Sequence, residues 1–233
     1  MNGNTGLLWS SIGRKLVVAL TGLALVGFLA AHLAGNLQVF GGQEPLNTYA
    51  QALRDSGPVL WVARLGLLAL ALAHVLLALR LQAENSAARG SAYAVRQRRV
   101  AAPAARSMLL TGLMVVAFVL YHLAHYTWHV AHPEFAGRLD AAGRPDVYSM
   151  VVGSFQQPLI TGVYVVVLVL LGLHLSHGVS SVFQTLGFRN PRYETVLARV
   201  GPAFGTLVAA GYLSIPLAVQ AGLVALPPGV AFP

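Results

Sequence analysis

The stretch LVVALTGLALVGFLAAHLAGNLQVF, Leu16–Phe40, decides the fold class of this chain. It is longer than the about 20 apolar residues that a helix needs to cross about 30 Å of hydrocarbon, and it carries one histidine, His32. Four more such runs follow, at about Val59–Leu79, Met108–Val130, Leu159–Phe183 and Val200–Leu223. We therefore predict an all-α integral membrane protein in which residues 1–233 form a single membrane domain with five transmembrane helices.

The composition supports a membrane protein and excludes several other classes. Of the 233 residues, 56% are hydrophobic and 9% are charged, whereas soluble domains carry about 25% charged residues. The chain has no cysteine, which excludes thiolate-bound iron–sulfur clusters, c-type haem attachment and disulfides within this polypeptide. Apart from the spacing of its histidines, we find no sequence repeat.

The net charge of +8 follows the topology of the predicted spans and does not indicate a nucleic-acid partner. One side of the five-span arrangement has 11 basic and two acidic residues, and the other has four basic and five acidic residues. The positive-inside rule then predicts a cytoplasmic N-terminus and an outer C-terminus. The basic side is suited to anionic lipid and to docking a soluble partner. Its basic residues are Arg14, Lys15, Arg80, Arg89, Arg96, Arg98, Arg99, Arg106, Arg189, Arg192 and Arg199.

Four histidines occupy matched positions in the first four spans. Each follows the start of its segment by 16 or 17 residues: His32 after Lys15, His122 after Arg106, His74 after Pro58 and His174 after Pro158. Because successive spans run in opposite directions, His32 and His122 are predicted to pair towards the outer face. His74 and His174 are predicted to pair towards the cytoplasm. A lone intramembrane histidine often serves only as an interhelical hydrogen-bonding residue. Two such pairs instead favour two b-type haems, each held by two axial imidazoles.

The third and fourth spans contain additional histidines. His122, His125, His129 and His132 are spaced three, four and three residues apart, which predicts one helical face and a possible metal site. No cysteine or carboxylate cluster accompanies this stripe, so water, haem propionates or a quinone are better partners for its outer members. His177 lies on the same face as His174 at i+3 and is a rival for the fourth ligand position.

Polar residues near the span ends are candidates for further cofactor contacts. Arg64 is predicted to lie near the outer haem, where it either neutralises a propionate or extends to the surface. The equivalent candidates near the inner haem are Ser11, Arg14 and Lys15. Candidates for hydrogen bonds to a quinone carbonyl are Asn36, Gln38, Asn47 and Tyr49, although loop structure explains these residues equally well.

Four segments carry a family resemblance: SSIGRKLVVALTGL (Ser10–Leu23), HLAGNLQVF (His32–Phe40), PLNTYAQAL (Pro45–Leu53) and HLSHGVSSVFQTLG (His174–Gly187). They resemble the dihaem cytochrome b membrane anchor subunit of succinate:quinone oxidoreductases, of the single-subunit, five-helix type found in prokaryotes. The resemblance covers nearly the whole chain. It implies one haem ligand from each of the first four helices, at His32, His74, His122 and His174, and it favours His174 over His177.

The resemblance also implies a function and partners. A flavoprotein subunit oxidises succinate, an iron–sulfur subunit brings electrons to the cytoplasmic face of this chain, and two haems pass them to a quinone, usually menaquinone, in the inner membrane of a prokaryote. Two alternatives remain: the haem b subunit of a hydrogenase or formate dehydrogenase, and a histidine-containing metal transporter. The transporter is disfavoured because the predicted spans contain no Asp or Glu. An anchor without haem is disfavoured because all four ligand positions are occupied.

Overall fold

The computed structural model describes residues 10–87, 107–188 and 192–230, and in these ranges the protein is all-α. The α-helices are α1 (Ser11–Asn36), α2 (Gln43–Asp55), α3 (Pro58–Ala87), α4 (Met108–Tyr126), α5 (Val147–Gln156), α6 (Pro158–Thr185) and α7 (Glu194–Gln220). Two short 3-10 helices cover Leu37–Gly41 and Pro133–Phe135. Helices α1, α3, α4, α6 and α7 are long and apolar enough to cross a membrane. The predicted all-α, five-span, multi-pass class is therefore confirmed.

The orientation of the two termini stays a prediction. Six of the basic residues on which it rests lie outside the described residues, namely Arg89, Arg96, Arg98, Arg99, Arg106 and Arg189.

The helix starts follow local sequence chemistry. The Ser10 hydroxyl accepts a hydrogen bond of 3.0 Å from the Gly13 N–H and so caps α1. Helices α3 and α6 begin at Pro58 and Pro158, where a proline loses no intrahelical hydrogen bond. Gly57 precedes Pro58 with a positive φ of 53°, a conformation that glycine adopts without strain.

Several helix ends differ from the predicted span ends. Helices α1 and α7 begin at Ser11 and Glu194, five and six residues before the predicted starts. Helix α3 continues to Ala87, eight residues beyond the predicted end at Leu79, and this extension carries Glu84. Its carboxylate is 2.6 Å from Arg14 on α1, which explains how the longer helix accommodates a charge. Helix α4 ends at Tyr126, four residues before the predicted end at Val130.

The two longer connections contain helices that hydropathy did not predict. We use the term cap for residues Leu37–Gly57 and Thr127–Gln157, which join α1 to α3 and α4 to α6. Within the cap, α5 is buried from Tyr148 to Phe155 and packs against α2, α6 and α7. Much of the hydrophobic core lies here, where Val39, Leu46 and Val152 are each less than 5% exposed.

A polar network joins the two parts of the cap. The fully buried Asn47 amide donates to Asp140 (3.1 Å) and Asp146 (3.0 Å) and accepts a hydrogen bond of 2.9 Å from the Tyr148 N–H. The Arg144 guanidinium bridges Asp140 and Glu44. Burial alone raises a carboxyl pKa, but hydrogen bonds from Arg144, Asn47 and the Ala142 N–H outweigh it and lower the pKa of Asp140 to about 2.

The spans pack unequally. Helices α6 and α7 share the closest interface, where a Cβ at Gly205 would overlap the Gly172 carbonyl and the Ser176 side chain. Helix α1 packs against α3 and α6, and α4 packs against α6. Helix α3 has no buried residue and, in the part of the chain that the structure describes, no packing against α4 or α6 comparable with its packing on α1. The bundle is therefore open between α3 and the helices α4 and α6.

Candidate metal centres

The four matched histidines form two groups. We refer to His32 and His122 as the cap-side pair and to His74 and His174 as the far pair. The cap-side rings have centroids 6.0 Å apart and planes at 90°. The imidazoles of His74 and His174 interact electrostatically, a longer-range relation than the ring contact of the cap-side pair. The helices thus place His32 beside His122, and the pairing of His74 with His174 stays a prediction.

The far pair is held by matching contacts on two different helices. His74 Nδ1 lies 3.1 Å from the Val18 carbonyl oxygen and 3.3 Å from the Thr21 hydroxyl on α1. His174 Nδ1 lies 3.4 Å from the Thr111 hydroxyl on α4, and that hydroxyl donates to the Met108 carbonyl at 3.1 Å. A ring that donates Nδ1–H to a carbonyl keeps the Nε2 lone pair for a metal ion, as metal-binding histidines usually do.

Glycines let both far-pair rings approach the helices. A Cβ at Gly22 would lie 3.0 Å from His74 Cε1, and a Cβ at Gly112 would lie 3.2 Å from His174 Cε1. Both distances are tighter than ordinary van der Waals contact, so a side chain at either position would force the imidazole to shift by a few tenths of an ångström.

These contacts come from a short repeat that sequence reasoning missed. Thr21-Gly22-Leu23 and Thr111-Gly112-Leu113 are the same tripeptide, and each threonine precedes the cap-side histidine of its own helix by 11 residues. The prediction that the chain has no repeat beyond its histidine spacing is therefore wrong. The tripeptide is visible in the sequence, but its role can be recognised only when the structure shows that it contacts His74 and His174.

The spacing of the cap-side pair suits two axial ligands of one iron. A metal–imidazole nitrogen bond is about 2 Å long and each nitrogen is about 1 Å from its ring centre, so two opposed axial rings have centroids about 6 Å apart. The 6.0 Å between His32 and His122 agrees with this geometry. Phe28 stacks on His32 at 5.3 Å and restricts that ring from one side. The residues present therefore fit a bis-histidine haem.

Asn36 supports His32 from the next turn of α1. Its Nδ2 donates to the His32 carbonyl at 2.7 Å and lies 3.3 Å from His32 Nε2. A metal ion on Nε2 would replace the longer contact and would leave the bond between Asn36 and the His32 carbonyl intact. Asn36 was predicted as a quinone contact, and its observed position is beside a candidate ligand.

His122 is the first residue in a series of buried hydrogen bonds between side chains. Its Nδ1 lies 3.3 Å from the Tyr164 hydroxyl, which lies 3.1 Å from Nδ1 of His125. His125 Nε2 lies 3.0 Å from the Ser154 hydroxyl, and Ser154 donates to the Met150 carbonyl at 2.6 Å. His125 is completely buried. Both of its nitrogens have hydrogen-bond partners, so it has no free lone pair for a metal ion.

The predicted histidine stripe is not a helical face. Because α4 ends at Tyr126, only His122 and His125 lie on it, and the prediction that all four histidines share one face is wrong. His129 has a positive φ of 53°, which turns the chain back. The His132 ring then lies with its centroid 4.4 Å from that of His125, with the two planes at 49°, and its Nδ1 is 2.9 Å from a Glu134 carboxylate oxygen. Among the described residues, no group of three or more His, Cys, Asp or Glu side chains is arranged to hold a metal ion.

The rival ligand His177 is less well held than His174. It is half-buried, and among the described residues no hydrogen bond like that between His174 and Thr111 holds its ring. The geometry therefore favours His174.

The predicted propionate contacts lie in different environments. Arg14 is buried against Glu84, whereas Ser11 and Lys15 are exposed. Arg64 is exposed on α3, with its guanidinium 5.2 Å from the centre of the Trp61 ring. Arg14 is already paired, so it is a weaker propionate candidate than the sequence alone indicated.

The predicted quinone contacts do not form one cluster. Asn47 is the centre of the cap network, where its donors and its acceptor are engaged, so a structural role replaces the predicted quinone contact. Tyr49 lies over Gly35, where its ring leaves no space for a Cβ, and Gln38 is exposed.

The described fold and the paired histidines define a multi-pass, all-α membrane protein with two candidate metal centres between its helices. Comparisons of the chain with protein-family models, curated proteins and solved structures find no match. The family resemblance therefore rests on the chain's own motifs.

Proposed function

We propose that this chain is the membrane anchor and electron-transfer subunit of a prokaryotic succinate:quinone oxidoreductase. It would hold two b-type haems, one at His32 and His122 and one at His74 and His174. The observation that carries the proposal is the arrangement of four helices that contribute one histidine each to two separate pairs. When bound, haem iron supplies one-electron transfer at a potential that the protein adjusts.

The residues around the far pair support this proposal. The Val18 carbonyl and the Thr111 hydroxyl oxygen accept from Nδ1–H of His74 and His174, which orients both rings and increases the basicity of their other ring nitrogens. The space that separates α3 from α4 and α6 offers room for a flat macrocycle. Apolar side chains on α1, α3 and α4 keep water away from this space in a membrane.

The proposed partners follow from the family resemblance. The absence of cysteine from this chain agrees with an iron–sulfur cluster that belongs to a separate subunit. We assign an iron–sulfur subunit and a flavoprotein subunit to the basic end of the chain. By the same resemblance, the electron acceptor is a membrane quinone of the menaquinone type and the location is the cell inner membrane.

The test is haem quantification in the purified membrane complex by pyridine haemochrome, with a reduced-minus-oxidised spectrum. We expect two b haems per chain, both reduced by succinate. His74→Ala and His174→Ala should each remove the same haem, and His32→Ala and His122→Ala should each remove the other. His177→Ala is the matched control and should keep both.

The outcomes separate the parts of the proposal. Absence of haem from the wild-type complex contradicts electron transfer through this chain. Two haems that dithionite reduces and succinate does not would instead indicate another quinone-linked oxidoreductase. Loss of haem in His177→Ala with retention in His174→Ala would reverse the ligand assignment.

A further inference from the structure

A series of hydrogen bonds runs from His122 through Tyr164, His125 and Ser154 to the Met150 carbonyl. The groups at its Ser154 end determine which atom donates in each bond. Ser154 has one hydroxyl hydrogen and donates it to the Met150 carbonyl at 2.6 Å. Its oxygen must therefore accept from His125, so His125 Nε2 carries the hydrogen of that 3.0 Å bond. In a neutral imidazole the other nitrogen is then an acceptor. A charged imidazole would be costly in this completely buried position.

The same reasoning extends to the candidate ligand. Because His125 Nδ1 is an acceptor, the Tyr164 hydroxyl donates to it across 3.1 Å. The Tyr164 oxygen then accepts from His122, whose Nδ1 carries the hydrogen. His122 Nε2 is left with a free lone pair. Ser154 of α5 thus determines the tautomer of a histidine on α4 through Tyr164 of α6.

The candidate ligands differ in what holds their rings. Nδ1 of His74 bonds the Val18 carbonyl, which no side-chain substitution removes, and Nδ1 of His174 lies 3.4 Å from the Thr111 hydroxyl. Nδ1 of His122 instead bonds a tyrosine that is itself polarised by His125. The basicity of His122 therefore depends on a series of replaceable side chains.

We propose that Tyr164 and His125 are positioning residues that hold His122 as the Nδ1–H tautomer and increase its basicity as an iron ligand. This inference rests on the proposed function, since it concerns the haem of the cap-side pair. An acceptor on Nδ1–H makes an imidazole a stronger donor and favours ferric iron. Removing the acceptor should therefore raise the midpoint potential of that haem.

The test is a potentiometric titration of both haems in the purified complex, with wild type compared with Tyr164→Phe. The variant removes one oxygen and keeps the ring that packs against Phe118 and Phe155. We expect two haems per chain, with one midpoint potential raised and the other unchanged. The low-spin electron paramagnetic resonance signal of the shifted haem should change as well.

Tyr148→Phe is the matched control. Tyr148 is a cap residue whose hydroxyl donates to the Ala225 carbonyl at 2.9 Å, and it takes no part in the hydrogen bonds that start at His122. Both potentials should stay at the wild-type values. If tyrosine hydroxyls in this part of the protein had a purely structural role, Tyr164→Phe and Tyr148→Phe would affect the midpoint potentials in the same way.

A second variant covers the case in which Tyr164→Phe binds a single haem. Ser154→Ala removes the hydrogen bond between Ser154 and His125 and leaves the contact between Tyr164 and His122 in place. It should therefore raise the same midpoint potential by a smaller amount than Tyr164→Phe does. Unchanged potentials, or equal shifts of both haems, would overturn the inference. A wild-type complex without haem would instead refute the proposed function.

Discussion

Gly22 and Gly112 show how a single missing side chain determines where an imidazole can lie. Each glycine faces the Cε1 edge of a far-pair ring from the adjacent helix. The threonine before each glycine bonds within its own helix, to the Val17 carbonyl for Thr21 and to the Met108 carbonyl for Thr111. The hydroxyl hydrogen is used in this bond, so the hydroxyl oxygen is the atom that faces Nδ1 of the histidine. Two residues per helix therefore provide both the space and the polar contact.

We expect Gly22→Val to remove one of the two proposed haems. The new Cβ would lie 3.0 Å from His74 Cε1, and its methyl groups would push the ring away from the Val18 carbonyl. Gly27→Val on the same helix is the control, since its Cβ would meet nothing within 4 Å. Haem per chain is measured by pyridine haemochrome. Two haems in Gly22→Val, or one in Gly27→Val, would contradict the expectation.

At the scale of elements, α2 and α5 show where prediction from hydropathy fails. The five spans were predictable because a backbone in hydrocarbon must satisfy its own hydrogen bonds, which leaves long apolar helices as the solution. Helix α2 is short and polar, and α5 is a ten-residue segment after a charged turn. Neither has the length that distinguishes a span from a loop. The early end of α4 likewise depends on the turn at His129.

The candidate site was predictable to a similar extent. Histidine pairs follow from depth, because helix rise converts sequence spacing into distance along the membrane normal. The anchoring of His122 by Tyr164 does not follow, because it requires the rotation of α6 relative to α4, which is set by side-chain packing. Asn47 was assigned to a quinone from its position in the chain, and its partners Asp140 and Asp146 lie about 100 residues away.

We predict that the cap loses stability in acid over a narrow pH range. The pKa of Asp140 is lowered to about 2 in the folded protein, against about 3.9 in an unfolded chain. Its contribution is therefore fully present above about pH 4 and is lost as the pH falls through about 2. Asp140→Asn should lower the free energy of unfolding at pH 7 by about 1 kcal/mol, because solvent screening reduces the full effect.

Amide hydrogen exchange in α2 and α5, followed from pH 7 to pH 2 in detergent, measures this effect. The difference between Asp140→Asn and wild type should shrink below about pH 4. Asp55→Asn is the control, since Asp55 is exposed and accepts from Gln51 one turn away on the same helix. A difference that is independent of pH would contradict the role of the Asp140 charge.

We expect Gly205→Val to destabilise the packing of α6 on α7. Its Cβ would overlap the Gly172 carbonyl and the Ser176 side chain, so the two helices would have to separate. Overpacking of this kind costs about 1–3 kcal/mol. Gly162→Val on α6 is the control, because a Cβ there meets nothing within 4 Å. Thermal unfolding in detergent, followed by circular dichroism, should show a lower midpoint for Gly205→Val only.

At the scale of the whole molecule, an odd number of spans puts the two termini on opposite sides of the membrane. The positive-inside rule predicts a cytoplasmic N-terminus and an outer C-terminus. A fluorescent protein that folds only in the cytoplasm should fluoresce when fused to the N-terminus. An alkaline phosphatase that is active only outside should be active when fused to the C-terminus. The opposite pattern would reverse the orientation, and the same side for both termini would contradict five spans.

The repeated Thr-Gly-Leu tripeptides divide the first four spans into two halves built to the same plan, residues 11–87 and 108–185. Each half consists of a span, a cap helix and a returning span that begins at a proline. Each histidine pair takes one member from each half, so neither half contains a complete centre. If each pair holds a haem as proposed, the two halves must insert and meet before that haem can bind. Haem binding would then be a late step of assembly and would report that the two halves have joined.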